Sequence, residues 1–335
     1  MLIGRSRRFG SSSLRALGAL AAAMTLLFAG ALAAAAESYP VRPVRLIVPV
    51  AAGAATDVLA RLTAEWLGKQ GGQPIIVENR AGAGGTLAVE TVARAEPDGY
   101  TLLFATNGTI TINRTIMKNL AVDPLELVPV APVATTANLL VVNAAVPART
   151  LKEFVALAKA QPGKIDYGSA GPGTTPHLAG ALFAHLAGVN MVHVPYRGAA
   201  PATTDLVAGN VQMLAIGYGT VAPFVEAGKL RVLAVAGPRR LTYLPDVPAA
   251  AEAGLPGWEM ETWYGLLAPK GTPKPIVDQL NTSVGAFLGD PATKQRFKEG
   301  YYGTTPMTPE EFSASVHAEA AKWQRVVREA GITLQ

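Results

Sequence analysis

The chain has 335 residues, of which 50% are hydrophobic and 16% are charged, and it contains no cysteine. This length suffices for one or two packed domains, and the lack of cysteine excludes disulfides, thiolate chemistry and a lipid-modified cysteine. Four of the 29 basic residues and none of the 24 acidic residues lie within residues 1–36, which leaves the rest with a net charge of about +1. That balance argues against a nucleic-acid-binding surface, which needs clustered Lys and Arg.

Residues 1–36 have the pattern of an export signal. Four arginines, the last of them Arg15, precede an apolar run from Leu17 to about Ala33, and small residues follow. Ala34 and Ala36 match the small-x-small cleavage rule, which predicts a mature start near Glu37. Cleavage after Ala33 and a retained membrane anchor are the alternatives. We therefore expect a soluble protein exported to the periplasm.

Strand and helix patterns alternate over most of the remaining chain. The buried-strand pattern Val44–Val50 leads into a helix with apolar positions from Val58 to Leu67, capped by Thr56 or Asp57. Further strands are predicted at Pro74–Glu78, Tyr100–Ala105, Leu139–Asn143, Asp166–Ser169, Met191–Val194, Val211–Ile216, Leu230–Ala236 and Trp263–Ala268. Further helices are predicted at Thr86–Ala95, Leu151–Ala160, 175–187 and Ala200–Ala208, and helices dominate after residue 268.

This alternation indicates an α/β fold with parallel strands. About 300 residues exceed the comfortable size of one core, so we predict two α/β domains with a ligand cleft between them. One domain is expected to comprise residues 37–140 plus 260–335, and the other residues 141–259.

Three loops rich in Gly, Ser and Thr follow predicted strands. They are Gly53–Asp57, Thr106–Thr109 and Gly168–His177. Such loops expose backbone N–H groups at helix starts, which favour an anion, and ligand sites of open α/β sheets lie at the carboxyl ends of strands. Ordinary turn and capping chemistry explains any one of these loops equally well.

Catalysis, metal binding and cofactor binding each fit the sequence less well than anion binding by the three loops. Ser169, His177 and Asp205 suggest a hydrolase triad, but Tyr167 stands where the motif G-x-S-x-G needs its first glycine. No pair of histidines has ligand spacing near acidic partners. Leu87 stands where a dinucleotide fingerprint needs a glycine. We therefore expect no catalytic residues, no metal and no cofactor.

A series of motifs then carries a family resemblance over essentially the whole chain after residue 36. In order they are 77–85 (VENRAGAGG), 97–102 (PDGYTL), 168–171 (GSAG), 193–198 (HVPYRG), 245–248 (PDVP) and 263–269 (WYGLLAP). They closely resemble the substrate-binding proteins of tripartite tricarboxylate transporters, also called Bug receptors. The resemblance implies a type II periplasmic-binding fold whose two domains close on a di- or tricarboxylate, an acidic amino acid or an aromatic acid.

The resemblance also implies site residues and partners. Carried over by position, these are a first clamp of Gly53, Ala54, Thr56 and Asp57, a second of Thr106, Asn107 and Thr109, an opposing wall of Ser169, Gly173, Thr174 and His177, and Asp205 as a water-holding neighbour. Arg197 is a candidate for a second ligand carboxylate, with a solvated loop cation as the alternative. The implied partners are the large and small membrane subunits of a permease, and we expect a monomer. A sensor for a signalling partner and a secreted serine hydrolase using Ser169 are the alternative functions.

Overall fold

Nine β-strands, eight of them in one hydrogen-bonded path and the ninth paired to it as a branch, frame the part of the chain that the structure describes. The structure is a computed structural model, and it describes residues 39–117 and 120–330. The predicted export signal lies outside these residues. From Arg42 onward the chain forms one compact unit, so the domain boundaries at 140/141 and 259/260 stay a prediction.

The strands fall into two groups that share β4 (Val128–Asn143). The first group contains β1 (Val44–Val48), β2 (Ile75–Asn79), β3 (Thr101–Thr106) and β9 (Glu261–Ala268). The second contains β5 (Asp166–Ser169), β6 (Val192–Pro195), β7 (Met213–Gly217) and β8 (Leu230–Val235).

Helices connect these strands and cover the sheet. They are α1 (Ala55–Gly71), α2 (Thr86–Ala93), α3 (Asn113–Ile116), α4 (Leu151–Ala160), α5 (Thr175–Ala187), α6 (Ala199–Ala208), α7 (Tyr218–Glu226), α8 (Lys274–Gly289), α9 (Pro291–Glu299) and α10 (Pro309–Ala330). Short 3₁₀ turns lie at Ala83–Gly85 and Pro124–Glu126, and a π-helix at Gly108–Ile112. Within the described ranges, no helix is long and apolar enough to cross a membrane.

The strand register brings the carboxyl ends of both groups to one place. β1 runs parallel to β2 and β3, and β5 runs parallel to β6 and β7, so each group has a single carboxyl edge. Thr106 at the end of β3 pairs with Tyr264, which pairs with Ala134 of β4. Gly217 at the end of β7 pairs with Asn138 of β4. The two carboxyl edges therefore meet at Ala134–Asn138, where β4 changes strand partners.

Buried apolar clusters hold the helices on both groups of strands. Ile47, Leu103 and Phe312 belong to one cluster, which joins the first group to α10. Phe183 and Trp258 belong to another, beside the second group, where the Trp258 indole N–H donates to the Ala179 carbonyl at 2.9 Å. Burying each such aromatic side chain contributes about 2–3 kcal/mol, so these contacts fix the sheet edge on which the loops are mounted.

Most predicted elements agree with the structure to within two residues, and the two largest differences have physical causes. β4 begins eleven residues before the predicted Leu139. Its first half contains Pro129 and Pro132, and the ladder shifts register at both, which is how a strand accommodates residues without an N–H. Helix α7 was not predicted, because Pro223 and Gly219 lower its helix propensity.

Candidate functional site

Five helices of eight residues or more begin at the shared carboxyl edge without a side-chain cap. Their N-cap residues are Ala54 for α1, Gly85 for α2, Thr174 for α5, Gly198 for α6 and Gly217 for α7, and none makes a side-chain capping hydrogen bond. By contrast, Thr150 caps α4 and Asp290 caps α9, both away from this edge. Helix α8, which starts after Pro273 away from the edge, also lacks a side-chain cap. First-turn N–H groups therefore gather at the edge with the positive ends of five helix dipoles.

Loop 1 (residues 49–54) is held by Asp57 from inside α1. The Asp57 carboxylate is 2% exposed and accepts hydrogen bonds from Gly53 N at 2.9 Å, Asn79 Nδ2 at 2.8 Å and Arg61 Nε at 3.0 Å. Burial alone would raise the pKa of Asp57, but these hydrogen bonds outweigh it and hold the pKa below its ordinary value. Asp57 is therefore a charged support for loop 1, with its oxygens already occupied.

Loop 2 (residues 107–113) begins with the completely buried Asn107. Its Nδ2 donates to the Glu261 carbonyl at 2.7 Å and to Glu319 Oε1 at 2.8 Å. Its Oδ1 accepts from Gly108 N at 3.1 Å and from Thr175 Oγ1 at 3.4 Å. Asn107 thus ties the end of β3 to the start of β9, to α10 and to the first residue of α5.

Glycines allow loop 2 to touch loop 3 (residues 170–174) directly. Asn113 Nδ2 donates to the Gly84 carbonyl at 2.6 Å, and its Oδ1 occupies the place where a Cβ on Gly173 would lie. Gly173 has φ +76°. A Cβ on Gly108 would lie 3.3 Å from the Gly173 carbonyl oxygen. The two strand groups therefore meet at a seam that admits almost no side chains.

Replacing Gly173 by alanine tests this seam. Gly188 provides a matched control, because it is also left-handed, at φ +60°, but has no neighbour within 4 Å of its Cβ position. Left-handed strain should cost each variant about 1 kcal/mol, and the collision with Asn113 should cost Gly173→Ala about 2 kcal/mol more. Urea unfolding of both variants measures the difference, and equal losses would contradict the seam.

Loop 3 is organised by a serine and two stacked histidines. Ser169 is completely buried; its Oγ lies 2.7 Å from His193 Nε2 and accepts from Gly171 N at 3.1 Å. His177 Nδ1 accepts from Gly173 N at 3.2 Å, and the His177 and His193 rings stack at 4.0 Å. Burial lowers the pKa of each histidine to about 4, and for His177 the neighbouring His193 adds to the effect. Both rings are therefore neutral at neutral pH.

Of the other predicted site residues, three threonines lie at the shared carboxyl edge, and Asp205 is hydrogen-bonded elsewhere. Thr106, Thr109 and Thr174 lie in loops 2 and 3 or beside them, and Thr174 Oγ1 donates to the Gly171 carbonyl at 2.7 Å. Asp205 accepts from the Tyr196 hydroxyl at 2.6 Å and from Asn210 Nδ2 at 3.1 Å. Ser169 pairs with His193 instead of His177, so the structure does not assemble Ser169, His177 and Asp205 into a triad.

Arg197 is the cation of the loop that follows β6. It is exposed and lies between the end of β6 and the Gly198 N-cap of α6. It makes no hydrogen bond or ion pair with any residue in the described part of the chain. Its charge is thus available at the same edge as the uncapped helices.

Several residues that the sequence interpretation missed carry this network. Asn79 and His193 lie inside quoted family motifs, but nothing in their local pattern marks them as partners of Asp57 and Ser169. Asn113 and Glu319 had no local signal. Two surface cavities lie away from the loops, one of about 440 Å³ lined partly by Arg80, Leu87 and Arg94, and one of about 250 Å³ between α1, α8 and α9.

Solved structures assign this architecture to the periplasmic binding proteins. The periplasmic binding protein BugD is 35% identical with a TM-score of 0.81, covering 89% of this chain and 100% of that one. R. palustris Rpa4515 with adipate is 37% identical with a TM-score of 0.83, covering 88% and 99%. MatC from Rhodopseudomonas palustris with bound malate is 35% identical with a TM-score of 0.81, covering 86% and 100%.

The family follows from a match over most of the chain. The family described as "Tripartite tricarboxylate transporter family receptor" matches residues 59–332. The chain belongs to this family of solute-binding receptors. The fold and the family predicted from the sequence motifs are both confirmed.

Proposed function

We propose that this protein captures a small carboxylate, in the first place a dicarboxylate, at the shared carboxyl edge. The observation that carries the proposal is the gathering of five helix starts without side-chain caps. Asp57 is the only acidic side chain in the first turns of these helices, and its oxygens are occupied. Backbone N–H groups at helix starts bind anions without a positive side chain. The adipate and malate in two relatives support this choice of ligand.

The predicted residues then take two kinds of role. Those offering backbone N–H or hydroxyl groups to the ligand are Ala54, Thr56, Thr106 and Thr109. Gly53, Gly173 and Thr174 belong to the supporting kind, because the Gly53 and Gly173 N–H groups and the Thr174 hydroxyl already donate to protein acceptors. Those supporting the loops from behind are Asp57, Asn107, Ser169 and His177, because their polar atoms already have protein partners. Arg197 pairs with a second ligand carboxylate, and Asp205 supports the loop after β6 through Tyr196.

The change of strand partners supports a division into two domains around the ligand. Ala137 of β4 pairs with Glu261 of β9, and the next residue, Asn138, pairs with Gly217 of β7. The Asn138 N–H also donates to the Met260 carbonyl at 3.1 Å. The chain thus passes between the groups twice, close to the predicted boundaries. Ligand contacts made to both groups only when they approach would drive closure.

Delivery of the ligand completes the proposal. After export and cleavage near Ala36, the monomeric receptor would hand its ligand to the membrane subunits of a tripartite transporter. Delivery to a signalling partner makes the same binding prediction. The proposal includes no catalytic step, because the Ser169 hydroxyl is completely buried and Asp205 is bound elsewhere.

A thermal-shift screen of the exported form, freed of co-purified ligand, tests the proposal. The panel is malate, adipate, citrate, glutamate, nicotinate and phthalate, each with its neutral amide as the control. An acid at 100 times its dissociation constant should add about 2.7 kcal/mol of stability, and its amide should add almost none. Absence of a shift with every acid would contradict carboxylate capture.

A further inference from the structure

Glu319 places a carboxylate behind the ligand site, held by neutral N–H donors, while the nearby Lys322 pairs with Glu259 instead. Glu319 lies in α10, and its Oε1 accepts from Asn107 Nδ2 at 2.8 Å and from Trp323 Nε1 at 3.3 Å. Its Oε2 accepts from Trp263 Nε1 at 2.6 Å. Among the described residues, Glu319 forms no ion pair. Three neutral N–H groups therefore satisfy this carboxylate.

A carboxylate satisfied only by neutral donors costs stability as soon as one of these hydrogen bonds is lost. Burial raises the pKa of Glu319 above its ordinary value, although the hydrogen bonds from Asn107, Trp263 and Trp323 oppose the change. A half-buried carboxylate that loses a donor is left with poorly solvated charge, and a buried N–H that loses its acceptor is also penalised. Hydrogen bonds to an ionised acceptor are also stronger than neutral ones. Glu319 therefore holds its donors firmly.

The donors that Glu319 holds are the ones that shape loop 2. Asn107 is oriented so that its amide also bonds the Glu261 carbonyl and Thr175 Oγ1. Trp263 lies in β9 two residues after Glu261. Thr175 is the first residue of α5, one of the five uncapped helices. A change at Glu319 is thus transmitted through Asn107 to both sides of the seam.

We propose that Glu319 is a positioning residue for ligand binding, which orients the Asn107 amide and so fixes loop 2 against the start of α5. It does not touch the ligand. The inference rests on the proposed function, since its readout is affinity for a carboxylate. It adds to the site a residue of the C-terminal helix, far from the three loops in sequence.

Glu319→Gln in the full exported protein provides the test. Glutamine has the same shape but a single carbonyl oxygen, so its NH₂ group must face one of the N–H donors that the carboxylate now accepts from. We expect about tenfold weaker binding, measured by calorimetry with malate, adipate and any other acid that the screen identifies. Glu329→Gln, an exposed change of the same charge on the same helix, should bind like the wild type.

A second control separates positioning from stability alone. Trp323→Phe removes one hydrogen bond from Glu319 but leaves the Asn107 contact in place. It should lower the melting temperature and change affinity by less than about twofold. If Glu319→Gln does not fold, Glu319→Asp keeps the charge, shortens its reach to Asn107 and carries the same expected loss of affinity.

The outcomes are distinct. If wild type and Glu329→Gln bind while Glu319→Gln binds about tenfold more weakly, the inference holds. If Glu319→Gln lowers only the melting temperature, as Trp323→Phe does, and keeps wild-type affinity, the positioning role is overturned. If the wild type itself binds no acid, the proposed function fails first and the inference fails with it.

Discussion

Replacing Asp57 by alanine is expected to lower the free energy of unfolding by about 3 kcal/mol and to weaken carboxylate binding at least tenfold. The variant leaves the Gly53 N–H, the Asn79 amide and Arg61 without their shared acceptor. Loop 1 then loses its link to the first turn of α1, so the N–H groups at that helix start no longer have a fixed direction. Urea unfolding and calorimetry measure the two losses.

The same helix offers a matched control for Asp57. Glu65 also pairs with a cation four residues later, Lys69, at 2.6 Å, but both side chains are exposed. Exposed pairs of this kind contribute about 0.5 kcal/mol or less, so Glu65→Ala should leave both stability and affinity almost unchanged. If the two alanine variants behaved alike, Asp57 would be an ordinary surface ion pair and loop 1 would not depend on it.

Lowering the pH from 7 to about 4 is expected to remove about 3 kcal/mol of stability through His177 alone. Its pKa in the folded protein is about 4, below the ordinary value of 6.5. The unfolded chain therefore takes up a proton at a pH where the folded chain does not. The folded state keeps the full stability contributed by the neutral ring above pH 6.5. It loses this stability as the pH falls from 6.5 to about 4. Protonation of His177 would also place a positive charge against the His193 ring. The Nδ1 atom of His177 could then no longer accept the hydrogen bond from Gly173 N.

Urea unfolding at pH 7, 5.5 and 4.5 measures this loss. His177→Gln removes the titrating ring and should show a shallower fall in stability than the wild type over the same range. His317→Gln, at an exposed position of α10, should follow the wild type, because loop 3 is untouched. Parallel curves for all three proteins would show that the buried ring does not carry the acid sensitivity.

Local pattern was enough to predict most of the fold. Buried strands appear as short apolar runs, and helix starts as small polar residues after them, so both can be interpreted without knowing their neighbours. The prediction failed where the local chemistry is unfavourable but the surroundings compensate. The prolines of β4 are accommodated by register shifts, and α7 forms around Pro223 because its apolar face packs on the sheet.

The position of the three loops at the ends of strands could be predicted from sequence, but the partners of their polar residues could not. Asp57 and Asn107 are residue types that bind ligands and that also support loops. Which role applies depends on partners 22 positions away for Asp57, at Asn79, and 212 positions away for Asn107, at Glu319. Ser169 likewise meets His193, 24 positions away, and not the nearby His177. Only the folded chain brings these groups together.

A crystal structure of the exported protein with the best acid from the thermal-shift screen tests most directly where the carboxylate binds. We predict that its oxygens lie about 2.7–3.1 Å from first-turn N–H groups of α1 or α5, with Asp57 and Ser169 behind the loops and out of contact with the ligand. An acid bound instead in the surface cavity beside Arg80 and Arg94, with no contact to these helix starts, would contradict the proposed site.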